Sequence, residues 1–517
     1  MPLIADSNPA PTNLTDVILF SGASTKFRSR PLGIYRLASH LRQNNITVQT
    51  VWAWDEPEAV FYGICKRYLN ESVSVVGISS TLMTNTATGD FFGVDMDTFK
   101  RRLTLIKRLA PNAKIVLGGS QVTYSPIAGI PGLDLIDIFV KSQGEESLLA
   151  IVNAVKTNTR FRTISIAPVV VDQSIYPFND FNRSHTDFIK SDCVVHGEAL
   201  PYEFARGCIF KCKFCDYEIT GKSVNDFTKS KDIIRDELLK NYYEHGVTDY
   251  NIIDDLINDS EEKVNMIYDV VEGLPFAITF SGYLRLDMLR RFPTMSQKLQ
   301  DSGLIGCFLG IETIDDRNGR MMGKGLGIDR INEALAMLDD VWKEQVCIES
   351  GIILGLPYDN SDTVHKTLEW LREPVVARTI KYVSLAVLNL NPYKNISEMD
   401  KDYKKFGYTI NESVEVLSQP GYQAAWTTDN YSQSQALKDA RYFRQEYEQN
   451  RRFNTVKMDI FQLPYLLSLS DKRKEILDVV LNDQSTEWES GQEWQAYVTE
   501  LIANHRKKYL KLLLKGQ

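Results

Sequence analysis

Cysteine is scarce in this chain and unevenly placed. There are seven in 517 residues, an odd number, with Cys208, Cys212 and Cys215 close together and Cys65, Cys193, Cys307 and Cys347 scattered. That distribution argues against a disulfide framework and suits a reducing compartment with one metal site. No stretch approaches the roughly 20 apolar residues that a membrane helix needs. The start MPLIADSNPAPTNLTD lacks the charged and apolar regions of a secretory signal, so a cytoplasmic protein without a membrane role is expected. There is no basic excess either: 59 Lys and Arg against 67 Asp and Glu leave a formal net charge of −8, which argues against sequence-independent capture of nucleic acid. Low-complexity tracts are absent too, and the composition is that of a globular protein long enough for roughly three folded units.

What is present is a repeated alternation of short apolar runs with amphipathic segments. The runs VILFS (17–21), ITVQTVW (46–52), SVVGIS (74–79), KIVLGG (114–119) and LIDIFV (135–140) are separated by helical periods such as LGIYRLASHLR (32–42) and MDTFKRRLTLIKRLA (96–110). Parallel strands covered by helices read this way, so residues 1–155 are expected to form a Rossmann-like domain that binds ligands at its strands' C-terminal ends. Residues 156–200 read as a linker, with a β-pair in TISIAPVVVD and then a Pro-, Asn- and Asp-containing stretch without period. From 201 to 395 the alternation resumes in PYEFA, DYNIID, FAITFSG, LIGCFLGIE, VCIESGIILG and KYVSLAVLNL. Repeated βα units of this length make an open sheet or a full or partial barrel. Residues 396–517 turn helical and aromatic. Their stripe of Trp494, Tyr497, Val498, Leu501 and Ile502 reads as core or interdomain packing rather than a membrane-surface helix, and the region is expected to cap a substrate.

The strongest signal is EFARGCIFKCKFCDYE, which runs from the first of the later strands into a loop and spaces its cysteines C-x3-C-x2-C. Thiolates are soft ligands for iron or zinc, and a short loop lets three converge on one centre. Three protein ligands leave a cubane cluster with one open iron. Zinc is the alternative; it normally takes four ligands, so Asp216 or a distant histidine would have to complete the set. This spacing, with Phe214 before the third cysteine and Arg206-Gly207 before the first, resembles the radical S-adenosylmethionine (SAM) superfamily. The resemblance implies that Cys208, Cys212 and Cys215 hold a [4Fe–4S] cluster whose open iron chelates SAM. It also implies that one-electron reduction by an external carrier such as flavodoxin or ferredoxin splits SAM to a 5′-deoxyadenosyl radical.

Later segments resemble the superfamily's SAM-contact strands in the same order. In NIIDDLIND, Asp254 and Asp255 fall near the SAM methionine moiety, with a helix N-cap as the alternative. In FSGYLRLDML, Arg285 is placed to pair with the SAM carboxylate, against a surface salt bridge. Glu312 and Thr313 in GCFLGIET would reach the SAM amino group or ribose. Gly351, Ile353 and Gly355 in GIILGLP would lie against adenine, although both glycines also suit packing. MMGKG (321–325) and LNLNPY (388–393) complete the pattern as a turn and the last strand.

A Rossmann-like domain ahead of such a barrel resembles the cobalamin-binding branch of the superfamily. GGSQVT (118–123) and DLIDIFVKSQGEESL (134–148) match that branch's turn and its acidic Gly-Glu-Glu segment. Ser79, Ser80, Thr81, Gly118, Gly119 and Gly144 would then stand near a corrin, or else be ordinary βα turns. The D-x-H-x-x-G signature of other cobalamin proteins is absent. So are the three additional N-terminal cysteines of methylthiotransferases. By resemblance the fold class is α/β: a Rossmann-like domain of the cobalamin-binding type, a partial (β/α)6 TIM-type radical SAM barrel, and a mostly helical C-terminal domain. The expected activity is cobalamin-dependent methyl transfer to an unactivated centre of a small molecule or peptide. Oxidation, cyclisation or rearrangement without cobalamin, and a non-catalytic metal-binding module, are the alternatives. Tyr202, Tyr217, Tyr283 and Tyr358 are the tyrosines expected near a substrate.

Overall fold

The computed structural model describes residues 15–22, 29–81, 95–124, 132–178, 180–181, 185–392, 396–413, 424–448 and 460–515. It divides into two compact units, residues 1–195 with 506–517, and residues 196–505. The helical stretch after 396 is therefore shared between them rather than standing alone.

In the first unit β1 (Val17–Ser21), β2 (Val48–Trp52), β3 (Val75–Ser79), β4 (Lys114–Gly118) and β5 (Ile138–Lys141) fall on the five apolar runs and pair in parallel in the order β2-β1-β3-β4-β5. Every residue of β1 and β2 is buried, which is why these runs are continuous rather than alternating. Strand order reverses at β1, so the crevice between the ends of β1 and β3 is the switch point where open α/β sheets bind ligands. Ser21, Ser79 and Gly118 end level there.

The stretch read as a linker contains the expected β-pair, and that pair joins the sheet. β6 (Ser165–Ile166) and β7 (Val169–Asp172) form an antiparallel pair, and β7 also pairs in parallel with β5, which extends the sheet to seven strands. Farther on, Asp192 accepts from both Nη1 and Nη2 of Arg42 at 2.8 Å and from the Thr50 hydroxyl at 2.6 Å. Such a buried carboxylate holds because it is fully partnered. The chain's end joins this unit too: Tyr509 packs on Trp52, and its hydroxyl accepts from the Trp52 N–H at 2.8 Å.

In the second unit β8 (Leu200–Tyr202), β9 (Asp249–Ile252), β10 (Thr279–Leu284), β11 (Leu304–Glu312), β12 (Cys347–Leu354) and β13 (Ile380–Val387) make a six-stranded parallel sheet in chain order, with β8 and β13 at its edges. This is the partial (β/α)6 barrel. Its helices start and stop on local signals: the Ser230 hydroxyl caps Lys231–His245, and Gly246 ends it in the left-handed conformation at φ +70°. Pro293 splits the segment after β10 into Leu286–Arg291 and Thr294–Asp301.

The barrel is filled from the chain beyond 459. The Ile460 N–H donates to Glu349 on β12 at 3.0 Å, and Phe461 packs on Tyr283 of β10 with ring centroids 4.6 Å apart. A Cβ on Gly306 of β11 would stand 2.3 Å from Ile460, so that strand carries no side chain there. The C-terminal residues are mostly helical. Trp494 and Val498 of the expected stripe are buried, with Trp488 packed edge-on against Trp494. Among the described residues no helix is long and apolar enough to cross a membrane.

Candidate active site

β8 ends at Tyr202, and the chain passes at once into the cysteine loop. Loop amides need acceptors, and the end of β9 supplies them. Asp254 accepts from the N–H groups of Phe204 and Ala205 at 2.8 and 3.0 Å, and Asp255 from Gly207 at 3.0 Å. Asp254 is buried and is balanced by Lys263, whose Nζ lies 2.9 Å away and also donates to the Leu256 carbonyl at 2.7 Å. The N-cap of the following helix is Ser260, so neither aspartate caps it. Their observed partners are the amides just ahead of Cys208. Burial, with Asp254 beside it, pushes the Asp255 carboxyl up to about 6.

Cys208, Cys212 and Cys215 are free and half-buried. Burial pushes the Cys208 thiol up to about 11 and the Cys215 thiol up to about 12, and Cys215 also feels the charge of both other cysteines. Among the described residues no three His, Cys, Asp or Glu side chains group tightly enough to hold one metal ion.

Arg285 follows β10, and Asn258 grips its backbone with an acceptor at 2.8 Å and a donor at 3.0 Å. Its Nε and Nη2 donate to the two oxygens of Asp287 at 2.8 Å, Nη1 to Cys212 Sγ at 3.1 Å and Nη2 to the Gly323 carbonyl at 3.2 Å. The guanidinium also covers Phe210, 3.8 Å from its centroid. The bidentate carboxylate partner expected from SAM is thus supplied within the protein, by Asp287.

β11 ends on a register irregularity between Gly310 and Glu312, and Glu312 takes φ +68°. Irregularities of this kind re-aim a side chain. Here the Glu312 carboxylate meets Lys324 Nζ at 3.1 Å; Lys324 donates also to the Gly310 carbonyl at 2.9 Å and lies over the Phe214 ring at 5.7 Å. The Thr313 hydroxyl accepts from the Asp315 N–H at 3.1 Å. On β12, Ile353 shares an apolar cluster with Phe214, Met321 and Val387. A Cβ on Gly351 would strike the Phe308 ring at 2.7 Å, and one on Gly355 the Trp426 ring at 2.4 Å. Both glycines are therefore occupied by aromatic packing. Gly355 is held further by Asp359, which accepts from Gly355 and Leu356 N–H at 2.9 and 3.0 Å. Glu312, Thr313, Ile353, Asp359, Asn360 and Thr363 border one cavity of about 480 Å³.

Of the four tyrosines, Tyr202 is buried and donates to Glu237 at 2.6 Å, which removes it from any substrate space. Tyr283 packs inside the barrel, while Tyr217 and Tyr358 are exposed.

In the first unit five of the six marked residues form one knot. The N–H and hydroxyl of Ser80 both donate to the Gly118 carbonyl at 2.7 Å, and the Thr81 hydroxyl accepts from Ser120 N–H at 3.0 Å. Ser79 ends β3 level with Gly118. Gly119 has φ +97°, and a Cβ there would lie 2.7 Å from the Thr81 nitrogen, so glycine is required. Gly144 stands apart: it precedes the helix Glu145–Thr157, where Glu145 and Arg36 form a buried pair at 3.5 Å. The Gly-Glu-Glu segment thus packs two helices together. Beside it Gln143 is buried, and its Oε1 has no hydrogen-bond partner among the described residues.

Residues 202–371 match the family model of the radical SAM superfamily. This part of the chain is a radical SAM domain. An uncharacterized methyltransferase of Pyrococcus horikoshii is 22% identical over 358 residues, 66% of this chain and 73% of that protein. The anaerobic magnesium-protoporphyrin IX monomethyl ester cyclase of Cereibacter sphaeroides is 23% identical over 54% of this chain, which spans only 48% of the cyclase. Among solved structures, the radical SAM methyltransferase TsrM of Kitasatospora setae, with cobalamin and a [4Fe–4S] cluster bound, superposes at TM-score 0.63 and 14% identity. That likeness covers 95% of this chain and 99% of TsrM. The cobalamin-dependent SAM radical enzyme OxsB, with aqua-cobalamin bound, gives TM-score 0.56 at 14% identity over 96% of this chain and 72% of its own. At these identities the two structures show a shared fold.

Several residues of the radical SAM domain site escaped the sequence reading: Asn258, Lys263, Asp287, Lys324 and Asp359. Lys324 left the clearest trace, a lysine between two glycines in MMGKG where the reading saw only a turn. That turn docks on the cysteine loop, since the Lys213 N–H donates to the Met322 carbonyl at 3.2 Å.

Proposed function

We propose that the chain is a radical SAM enzyme that holds a [4Fe–4S] cluster on Cys208, Cys212 and Cys215 and uses cobalamin at the strand ends of its first unit. Its reaction is methyl transfer to an unactivated carbon or phosphinate centre of a small molecule or peptide. The observation that carries this reading is the three-cysteine loop fastened by Asp254 and Asp255 at the C-terminal ends of a parallel barrel. Three soft donors on one short loop suit a cluster with one open iron. The orphaned Gln143 Oε1 suits a cofactor edged with amides, and it lies beside the strand ends where such sheets bind ligands. The likeness to the Pyrococcus horikoshii methyltransferase and to the methyltransferase TsrM supports methyl transfer.

When bound, the cluster and SAM supply a 5′-deoxyadenosyl radical and cobalamin supplies the methyl group. The residues of the chain bind and orient. Asp254 and Asp255 fix the loop, and Arg285 places positive charge 3.1 Å from Cys212 Sγ, where it offsets thiolate charge. Phe214 and Ile353 offer an apolar surface for adenine, and the re-aimed Glu312 accepts from an ammonium. An external one-electron carrier, flavodoxin or ferredoxin, delivers the electron.

The reading without cobalamin, giving oxidation, cyclisation or rearrangement, has one observation in its favour: the Gly-Glu-Glu segment is engaged in helix packing. Anaerobic reconstitution with iron, sulfide and hydroxocobalamin tests both. The proposal expects a cluster spectrum, a cobalamin absorbance band and 5′-deoxyadenosine on reduction with SAM, all but the cobalamin band lost in the triple variant C208A/C212A/C215A. A triple variant with full iron and unchanged SAM cleavage overturns it. A wild-type chain that cleaves SAM but retains no cobalamin selects the second reading.

A further inference from the structure

We propose that Lys222 sets, in opposition to Asp259, how readily the cluster on Cys208, Cys212 and Cys215 accepts its electron. This rests on the cluster of the proposed function and adds a residue that tunes it without touching it. The stretch after the cysteine loop turns back on the first cysteine. The Cys208 N–H donates to the Ile219 carbonyl at 2.9 Å, and the Cys208 carbonyl accepts from the N–H groups of Gly221 and Lys222 at 2.7 and 3.3 Å. A Cβ on Gly207 would lie 2.5 Å from the Ile219 side chain, so the two segments are pressed together at this cysteine. Lys222 is thereby tied by its own backbone to a cluster ligand.

Its side chain then runs inward. It is 2% exposed, and its Nζ donates to the Asp226 carbonyl at 2.7 Å and lies 3.9 Å from Asp259 Oδ2. Asp259 is 1% exposed, and neither of its oxygens has a hydrogen-bond partner among the described residues; its other cation is Lys263, at 3.7 Å. A carboxylate and an ammonium that latched a loop would close to hydrogen-bond distance, as Asp254 and Lys263 do at 2.9 Å. Lys222 and Asp259 stop short of it. What they supply is charge in a place nearly closed to water, where charge acts over distance. Cys208 is within that reach. Burial and then Lys263 oppose the charge on Lys222, while Asp259 and the first cysteine favour it; burial also holds back the Cys208 thiolate, with Asp259 acting in the same direction.

Taking one electron from the external carrier makes the cluster one unit more negative. A buried cation beside it stabilises that state and a buried carboxylate opposes it, since local charge is among the levers that set such potentials. Lys263 is committed to Asp254 and to the Leu256 carbonyl. Lys222 is therefore the cation of this group whose loss removes charge without releasing Asp254.

The test is a redox titration of the cluster in reconstituted protein without SAM, read by electron paramagnetic resonance with iron content measured alongside. At the potential where the wild type is half reduced, Lys222→Met is expected to lower the ratio of reduced to oxidised cluster roughly tenfold, about 59 mV for one electron. Asp259→Asn should raise that ratio by a similar factor, and Lys222→Arg should restore the wild-type value. Opposite signs at neighbouring charges separate an electrostatic role from damage to the fold, which would move both variants the same way. If Lys222→Met alone loses its cluster, Asp259→Asn decides. A ratio that Asp259→Asn lowers or leaves unchanged overturns the proposal, as does one that Lys222→Met raises or leaves unchanged. If both variants lose their iron, the pair is a structural latch and the proposal falls. A wild-type chain that takes up no cluster overturns the proposed function itself, a result distinct from all of these.

Discussion

The two sheets both carry polar residues at the C-terminal ends of their parallel strands, but they end in opposite materials. The barrel strands run into Asp254, Asp255, Arg285, Glu312 and Asp359, and every one of these has a defined polar partner. The first sheet runs into Ser21, Ser79, Ser80, Thr81, Gly118 and Gly119, where among the described residues hydroxyls and backbone carry the hydrogen bonds. Buried charge tolerates no loose geometry, because removing one partner strands the other. Hydroxyl and glycine turns carry no net charge and so demand no counter-charge. The contrast teaches that the barrel's strand ends are fixed by paired charge, and those of the first sheet by hydroxyls and backbone.

The contrast breaks most easily at Lys263. Lys263→Met leaves the Asp254 carboxylate buried without its cation and should cost about 3–5 kcal/mol. Because Asp254 fastens the amides of Phe204 and Ala205, iron retained after reconstitution should fall with it, measured by iron content alongside urea unfolding. A variant of wild-type stability and full iron load would show that the charged strand ends do not organise the loop. In the first sheet Gly119→Ala forces a side chain into φ +97° and against the Thr81 nitrogen, a strain of about 2 kcal/mol. Cobalamin uptake should weaken while iron uptake by the barrel stays whole. Loss of both together would erase the division of labour between the sheets.

The same difference in material decided what the sequence disclosed. The cysteine loop and the carboxylates after β9 and β11 were legible because charge or thiol at the end of an apolar run needs a reason. Their partners were not. Nothing local announces that Asp254 holds Phe204, fifty positions earlier, or that Arg285 is taken by Asp287 two positions later, since those choices depend on which loops the barrel brings together. The five core strands of the first sheet were legible as continuous apolar runs. β7 was legible as half of a β-pair but not as a member of this sheet, because nothing local announces its parallel pairing with β5. Gly144 is ambiguous in the sequence, because a glycine before an acidic helix start looks alike whether it faces a ligand or packs, as this one does, beside Leu37 of another helix. Lys324 was missed because long side chains act at a distance from the turn that bears them.

The smallest expected effect asks whether charge at a barrel strand end is free to titrate. Burial pushes the Asp359 carboxyl up to about 7, against the two backbone N–H groups that favour its ionised form. An unfolded aspartate ionises near 4. As pH falls through about 7 the folded chain therefore binds a proton that the unfolded chain does not, and stability rises. It is lost again as pH climbs back through that value, by at most about 1.4 kcal/mol per pH unit. Asp359→Asn cannot titrate, so its urea midpoint should vary less than that of the wild type between about pH 5 and pH 8. The amide also keeps an oxygen to accept from Gly355 and Leu356, which separates loss of titration from loss of the turn. If the two chains show the same pH slope, Asp359 stays ionised across this range. The two N–H donors would then outweigh burial, and the barrel's strand ends would be as fixed in protonation as they are in position.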